Sequence, residues 1–255
     1  MNIAAPCLVP DFQVCALLLD VDGTLLDLAP TPREVRVPSS LRHAMNRLSE
    51  RTGGALALVS GRPLSDLDRL FAPLQLPAVG GHGAEFRPIA GNSLDIRRTV
   101  PLDATLKRKF AAIAESGPGI LIEDKGYSVA LHYRLAPELG DVVNEAAARI
   151  RLENPSASIE LLRGKSVLEI KQGGFSKATG VRELMRYPPF RDRHPIFIGD
   201  DVTDESVFEI IGDFDGLAFS VGRIVSGVDG HFENPEAVRG WLERISVIAR
   251  LPRHE

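Results

Sequence analysis

Six consecutive residues, Asp20-Val21-Asp22-Gly23-Thr24-Leu25, bring two carboxylates, a turn-forming glycine and a hydroxyl together directly after the apolar run Val14–Leu19. Such a run reads as a buried strand, and an open parallel sheet presents its ligand-binding groups at the carboxyl ends of its strands. Ser60 follows a second run, Ala55–Val59, and Asp200-Asp201 follow a third, Pro195–Ile198, closed by Gly199. Carboxylates from neighbouring strand ends make a hard, oxygen-rich site of the kind Mg2+ prefers. Lys177, just inside an expected helix, and the Ser60 hydroxyl complete a phosphate site beside that metal. Asp20 can then attack phosphorus and form an aspartyl-phosphate, with the ion and Lys177 offsetting the repulsion between two anions. Asp22 is placed to protonate the leaving alkoxide. Gly23 permits the turn, and Thr24 either caps the next segment or binds phosphate. Each piece also has an ordinary reading as a capped turn, a βα loop or a surface turn. Their order, each at an expected strand end, favours the joint one.

The elements that must position these groups follow from periodicity. Pro38–Arg51 reads as a helix capped by Ser39 or Ser40, with Leu41, Met45 and Leu48 inward. Pro63–Phe71 reads as a short helix and Pro77–Val79 as a third strand. Strand–helix alternation of this kind predicts a parallel sheet covered on both sides. The middle differs: Ile120–Lys125 and Tyr127–Arg134 read as strands turning at Gly126, the second with period-2 alternation. Pro137–Leu152 reads as a helix, and Ser158–Leu162 with Ser166–Gln172 as a hairpin turned at Arg163-Gly164. The end returns to the first pattern, with a helix over Lys177–Arg186, a last strand at Ala218–Val221 and a helix at Glu236–Leu251 around Trp241. The fold class expected is α/β, a doubly wound parallel-sheet core (residues 1–101 and 174–255) with an inserted α/β cap domain (102–173), hinged at Gly173-Gly174.

Within the insertion, period 2 puts Glu123 with Lys125, and Glu169 with Lys171, on one face of their strands. Leu168 and Ile170 take the opposite face and should pack on the helices. The charged face reads as a lid over a polyol, or simply as the wet side of an antiparallel sheet. His82, between glycines, lines the pocket or donates a hydrogen bond within its loop, and His132 reads as structural.

Composition excludes several classes. The 255 residues carry a net charge of −4 and no long basic run, which argues against nucleic acid or an anionic membrane as partner. The N-terminal residues lack the pattern of a signal peptide, and no apolar run approaches the roughly 20 residues that span a bilayer. Cys7 and Cys15 are too few for a disulfide framework or a zinc site, and Cys15 reads as a small core residue. A soluble cytoplasmic protein is expected. The oligomeric state stays open, and a monomer is compatible with the sequence.

Asp20-Val21-Asp22-Gly23-Thr24, Ser60, Lys177 and Gly199-Asp200-Asp201-Val202-Thr203-Asp204 together resemble the four motifs of the haloacid-dehalogenase-like (HAD) phosphatases. Gly81-His82-Gly83-Ala84-Glu85, Glu123-Asp124-Lys125-Gly126, Ala130-Leu131-His132-Tyr133-Arg134 and Leu168-Glu169-Ile170-Lys171 narrow the resemblance to the trehalose-phosphate branch. The resemblance implies Mg2+-dependent hydrolysis of trehalose 6-phosphate. Asp20 would be nucleophile and Asp22 general acid/base. Mg2+ would be held by the Asp20 side chain, the Asp22 carbonyl and Asp200, with Asp201 and Asp204 behind them. Ser60, Gly61, Thr24 and Lys177 would bind phosphate, and Glu123, Lys125, Glu169 and His82 would serve the sugar, with cap closure excluding water. Ala178 stands where the family usually has glycine. The catalytic motifs do not separate trehalose 6-phosphate from sucrose, mannosylglycerate or glucosylglycerol phosphates, from a phosphomutase, or from a non-catalytic sugar-phosphate-binding module.

Overall fold

Short apolar runs become strands and the longer amphipathic segments become helices in the computed structural model, which describes residues 8–29, 34–91, 96–97 and 101–248. The first part holds β1 (Cys15–Leu19), α1 (Ser39–Arg51), β2 (Leu56–Val59), α2 (Leu64–Phe71), β3 (Ala78–Gly80), β4 (Glu85–Arg87) and β5 (Ile96–Arg97). The middle holds α3 (Ala104–Ala111), β6 (Leu121–Asp124), β7 (Ser128–His132), α4 (Gly140–Glu153), β8 (Ile159–Gly164) and β9 (Val167–Gln172). The last part holds α5 (Lys177–Leu184), β10 (His194–Gly199), α6 (Val202–Ile211), β11 (Leu217–Val221), β12 (Gly230–Phe232) and α7 (Pro235–Val247). The chain divides into two compact units: one of residues up to Leu28, Val35–Ile96 and Lys177 onward, the other of Ala29–Glu34 and Arg97–Ser176.

The larger unit is built on a sheet ordered β12-β11-β10-β1-β2-β3-β4-β5, parallel from β12 to β3 and antiparallel between β3 and β4. β1 and β2 are sealed on both faces, hence their uninterrupted apolar runs. Ala16 and Leu18 face a cluster with Val181 and Leu184 of α5 and Val207 and Phe208 of α6. On β11, Ala218 joins that cluster. Phe219 points the other way and meets Phe232 edge-on, and Phe232 packs at a tilt on Trp241 of α7. Helices therefore cover both faces, and every parallel strand ends on one edge. The smaller unit is an antiparallel sheet ordered β6-β7-β9-β8. Val129, Leu131, Leu168 and Ile170 pack on Phe110 of α3 and on Val143 and Ala147 of α4.

Several local expectations are corrected. Neither Ser39 nor Ser40 caps α1, because both lie inside it and Pro38, with no side-chain acceptor, takes the cap position. The tight turn between β8 and β9 falls at Lys165-Ser166, Ser166 taking φ 62°, so β8 runs through Arg163-Gly164. β7 alternates in facing as expected, with Val129 and Leu131 on the helices, but not in burial: Ser128 through Leu131 are all buried, since β7 is an inner strand. Pro137–Leu139 forms a separate 3-10 turn before α4. Ala218–Val221 is not the last strand, as β12 follows it, and the residues expected to extend α7 past Ile248 lie outside the described ones, as does Cys7. Cys15 is half-buried rather than a core residue, and burial pushes its thiol pKa up.

Candidate active site

Asp20 follows β1 directly, and its backbone N–H donates to Ile198 O of β10 at 2.9 Å, which ties the two strand ends together. Lys177 Nζ, on the first residue of α5, donates to Asp20 Oδ1 and to Asp204 Oδ1, both at 2.7 Å. Asp20, Asp200 and Asp204 are buried, and one carboxylate oxygen from each lies within 4.8 Å of the others. Gly23 is required twice over: its φ is +83°, and a Cβ there would stand 2.2 Å from Asp200 Oδ2. The Thr24 hydroxyl, fully buried, donates to Asp200 Oδ1 at 3.4 Å. Thr24 thus faces the acid cluster in this arrangement.

The electrostatics follow from one ammonium shared between two buried carboxylates, with a third beside them. Burial raises the pKa of Asp20 and the Asp204 charge raises it further; the Lys177 charge and hydrogen bond oppose them, and Asp22 adds to the rise. The outcome is pushed up to about 7. Asp204 is raised as well, by burial against the pull of Lys177. Burial works to lower Lys177, but the two carboxylates outweigh it and keep the ammonium charged. A lysine held charged between acids that rise shows that one cation is too few. Among these four side chains an excess of two negative charges remains, which a divalent cation offsets, and the all-oxygen donor set suits Mg2+. The residues present therefore fit the metal.

Asp22 is held apart from that cluster. Its two carboxylate oxygens accept from Arg62 Nε and Nη2, both at 2.6 Å. Ser60, at the end of β2, is buried and receives the Arg62 N–H on its Oγ at 3.2 Å. His82 sits at φ 53° between Gly81 and Gly83, its N–H on Ser60 O at 3.0 Å. A Cβ on Gly61 would lie 2.3 Å from His82 Nε2, so glycine there admits the imidazole ring. Asp201 caps α6 through Val202 N at 2.7 Å, while Asp204 returns Oδ2 to the Asp201 N–H at 3.0 Å. Asp204 therefore stands inside the cluster and Asp201 outside it. Two residues escaped the sequence reading, Arg62 as the partner of Asp22, and Arg223. Arg223 Nε donates to Asp200 O and Nη1 to Glu205 Oε1, each at 2.7 Å. An arginine within Ser60-Gly61-Arg62 was a visible signal for the first; nothing local marked the second.

The remaining candidates lie in the smaller unit, on the sheet face away from its helices. Lys125 Nζ donates to Glu169 Oε2 at 3.0 Å, Ser128 Oγ to Glu169 Oε1 at 2.6 Å, and His132 Nε2 meets Glu123 Oε2 at 3.0 Å. Burial pushes Glu123 up, but the hydrogen bond from His132 and the Lys125 charge outweigh it and hold its carboxyl below the usual range.

Residues 18–234 match the family model described as trehalose-phosphatase. The chain is 41% identical over 244 residues to a probable trehalose-phosphate phosphatase of Sinorhizobium fredii, covering 93% of this chain and 90% of that one. It is 34% identical over 238 residues to the trehalose-6-phosphate phosphatase of Escherichia coli K12, covering 93% and 89%. In fold it resembles the C-terminal domain of a C. albicans trehalose-6-phosphate phosphatase, with TM-score 0.83 at 21% identity over 96% of this chain and 98% of that one. A HAD-superfamily phosphatase of Bacteroides thetaiotaomicron gives TM-score 0.57 at 19% identity over 95% and 99%.

Proposed function

Because the chain belongs to the trehalose-phosphatase family, we propose that it hydrolyses trehalose 6-phosphate to trehalose and phosphate through a covalent phosphate on Asp20. The observation that carries the reading is the Lys177 ammonium shared between Asp20 and Asp204 inside a buried three-carboxylate cluster. An Asp20 oxygen bonds to phosphorus as the bond to the sugar oxygen breaks, and Asp22 gives that oxygen a proton. Asp22 then takes a proton from the water that attacks the aspartyl-phosphate, which frees phosphate and restores the Asp20 carboxylate. Both Asp22 oxygens accept from Arg62, which fixes where the acid stands to meet the leaving oxygen.

Asp20, Asp200 and the Asp22 carbonyl, with Asp204 beside them, are the groups proposed to hold Mg2+, and when bound it supplies positive charge against the phosphoryl oxygens. Ser60, Gly61, Thr24 and Lys177 are proposed to bind phosphate, and Asp201 supports the metal loop as the cap of α6. Glu123, Lys125 and Glu169 are proposed to recognise sugar hydroxyls, with His82 as a further sugar-side residue. We place the enzyme in the cytoplasm, where a charged sugar phosphate is retained by its membrane.

Phosphate release is measured over trehalose 6-phosphate, sucrose phosphate, mannosylglycerate phosphate and glucosylglycerol phosphate, with Mg2+ and with EDTA. Trehalose 6-phosphate should be preferred and EDTA should stop turnover. Undiminished turnover by Asp20→Asn overturns the mechanism, and preference for another member of the panel overturns the substrate.

A further inference from the structure

The sheet of the smaller unit sets three residues in one cross-strand row. Glu123 pairs with Ala130, and Ala130 pairs with Glu169. Adjacent strands lie about 4.8 Å apart, so the two glutamates stand roughly 10 Å apart at the backbone, with one of the smallest side chains between them. Ser128, Ala130 and His132 alternate along β7 and so share that face. The two polar ones each hold one of the glutamates. Ser128 Oγ, fully buried, donates to Glu169 Oε1 at 2.6 Å. His132 Nε2 lies 3.0 Å from Glu123 Oε2, reaching it across the β6–β7 pair, where His132 itself is registered with Leu121. Lys125 takes the second oxygen of Glu169.

A glutamate on a strand has several freely rotating bonds, and ordering it on ligand binding costs affinity. A carboxylate already held by donors avoids most of that cost and accepts hydroxyls through its remaining lone pairs at a fixed place. Holding both carboxylates from the strand between them also fixes their separation, and that separation selects a polyol by size.

We propose that His132 and Ser128 are positioning residues for sugar recognition, which fix Glu123 and Glu169 from the intervening strand β7 and set affinity for the sugar without entering phosphoryl transfer. This rests on the reading of Glu123 and Glu169 as sugar-hydroxyl acceptors. It departs from the sequence reading, in which His132 is structural.

Steady-state kinetics of the full chain with Mg2+ test it. His132→Ala should raise KM for trehalose 6-phosphate about tenfold with kcat within about twofold, the size expected for losing a preorganised contact. His132→Gln, whose carboxamide N–H can donate to the same carboxylate, should recover most of the loss. Ser128→Ala should raise KM about threefold, a smaller effect because Lys125 still holds Glu169. Turnover of p-nitrophenyl phosphate, which has no sugar, should be unchanged in all three. Glu123→Ala is the control for the underlying reading. If it raises KM and the His132 and Ser128 variants do not, the positioning roles fall and the sugar reading stands. If Glu123→Ala and Glu169→Ala both leave KM unchanged, the sugar reading falls and takes the positioning roles with it. Equal loss on p-nitrophenyl phosphate marks a general structural role and also overturns the proposal. Should His132→Ala fold poorly, the glutamine and Ser128 variants carry the test.

Discussion

The two units carry charged clusters built on opposite rules. In the larger unit the Lys177 ammonium is shared by Asp20 and Asp204, with Asp200 beside them, so three clustered carboxylates outnumber that cation. In the smaller unit each acid on the sheet's polar face has its own donor: Glu123 has His132, Glu169 has Lys125 and Ser128, and Glu160 has Lys171. Uncompensated buried charge is costly unless something arrives to pair with it. A site of that kind calls for ions, here a divalent metal facing a phosphoryl group. A face whose charges are already paired calls for a neutral ligand that accepts and donates hydrogen bonds, as a sugar does. The contrast supports the proposed division of labour, chemistry in one cluster and selection in the other.

Removing the one cation from the deficient cluster should break the contrast most severely. Lys177→Met leaves Asp20 and Asp204 buried without their partner. Turnover of trehalose 6-phosphate should fall by at least about a thousandfold, given that both charge compensation and orientation of Asp20 are lost. In EDTA, urea unfolding should show a loss of about 3–5 kcal/mol, the cost of uncovering buried charge. Full activity in this variant means the ammonium is not part of the site.

The pH dependence sharpens the same contrast. Asp20 is raised from its unfolded value of 3.8 to about 7 in the folded chain, so the native state keeps a proton that the unfolded chain releases. Its contribution to stability is complete below the unfolded value and is lost as pH rises towards the folded one. At about 1.4 kcal/mol per unit, the total comes to a few kcal/mol. Metal-free protein should therefore lose stability between roughly pH 4 and 7, and Asp20→Asn should lose less over that interval. Mg2+ should flatten the wild-type curve, because bound metal takes the place of the proton. A wild-type curve in EDTA that matches Asp20→Asn says the cluster is not short of positive charge.

A third effect, of intermediate size, concerns Arg62. It grips Asp22 through two 2.6 Å bonds and so decides where the acid rests. Arg62→Ala should lower kcat on trehalose 6-phosphate by about tenfold to a hundredfold, the range for a misplaced general acid. p-Nitrophenyl phosphate should suffer less, since its leaving group needs no proton. Equal losses on both substrates assign Arg62 to the phosphate and not to Asp22.

Apolar runs that end in acids were readable along the chain because period and composition are local properties. Asp20, Ser60, Lys177 and Asp200 could be placed on one sheet edge by a topological rule alone. Three kinds of feature were not readable. α6 escaped because the sequence reading took Gly199 through Asp204 as a strand-end motif and placed no helix after it, whereas Asp201 and Asp204 form a reciprocal cap that starts a helix. β4 and β12 are three residues each and hold their place through neighbours rather than through pattern. Arg62 with Asp22, and Arg223 with Asp200, join residues 40 and 23 positions apart, and no propensity records such pairings. In the smaller unit the charged face was legible from period 2, but the pairing that neutralises it was not.

The smallest expected effect tests whether paired charges in the smaller unit are independent of one another. Lys171 is 2% exposed, its Nζ stands 2.7 Å from Glu160 Oε2, and the Glu160 side chain is 46% exposed. Lys171 Nζ also donates to Phe175 O and lies 4.2 Å from the Phe175 ring centroid, so it keeps partners if the carboxylate is neutralised. Glu160→Gln should therefore cost no more than about 1 kcal/mol, a fall of roughly 2–4 °C in Tm. Glu160 faces Lys171 two residues along β9 from Glu169, in the next row of the sheet, and shares no donor with it in the described bonds. KM for trehalose 6-phosphate should accordingly stay where it is. A rise in KM without a change in kcat would show that the rows are coupled through the Lys171 charge. The polar face would then recognise its ligand as one network rather than as two separately held carboxylates, and the loss on His132→Ala should in that case exceed tenfold.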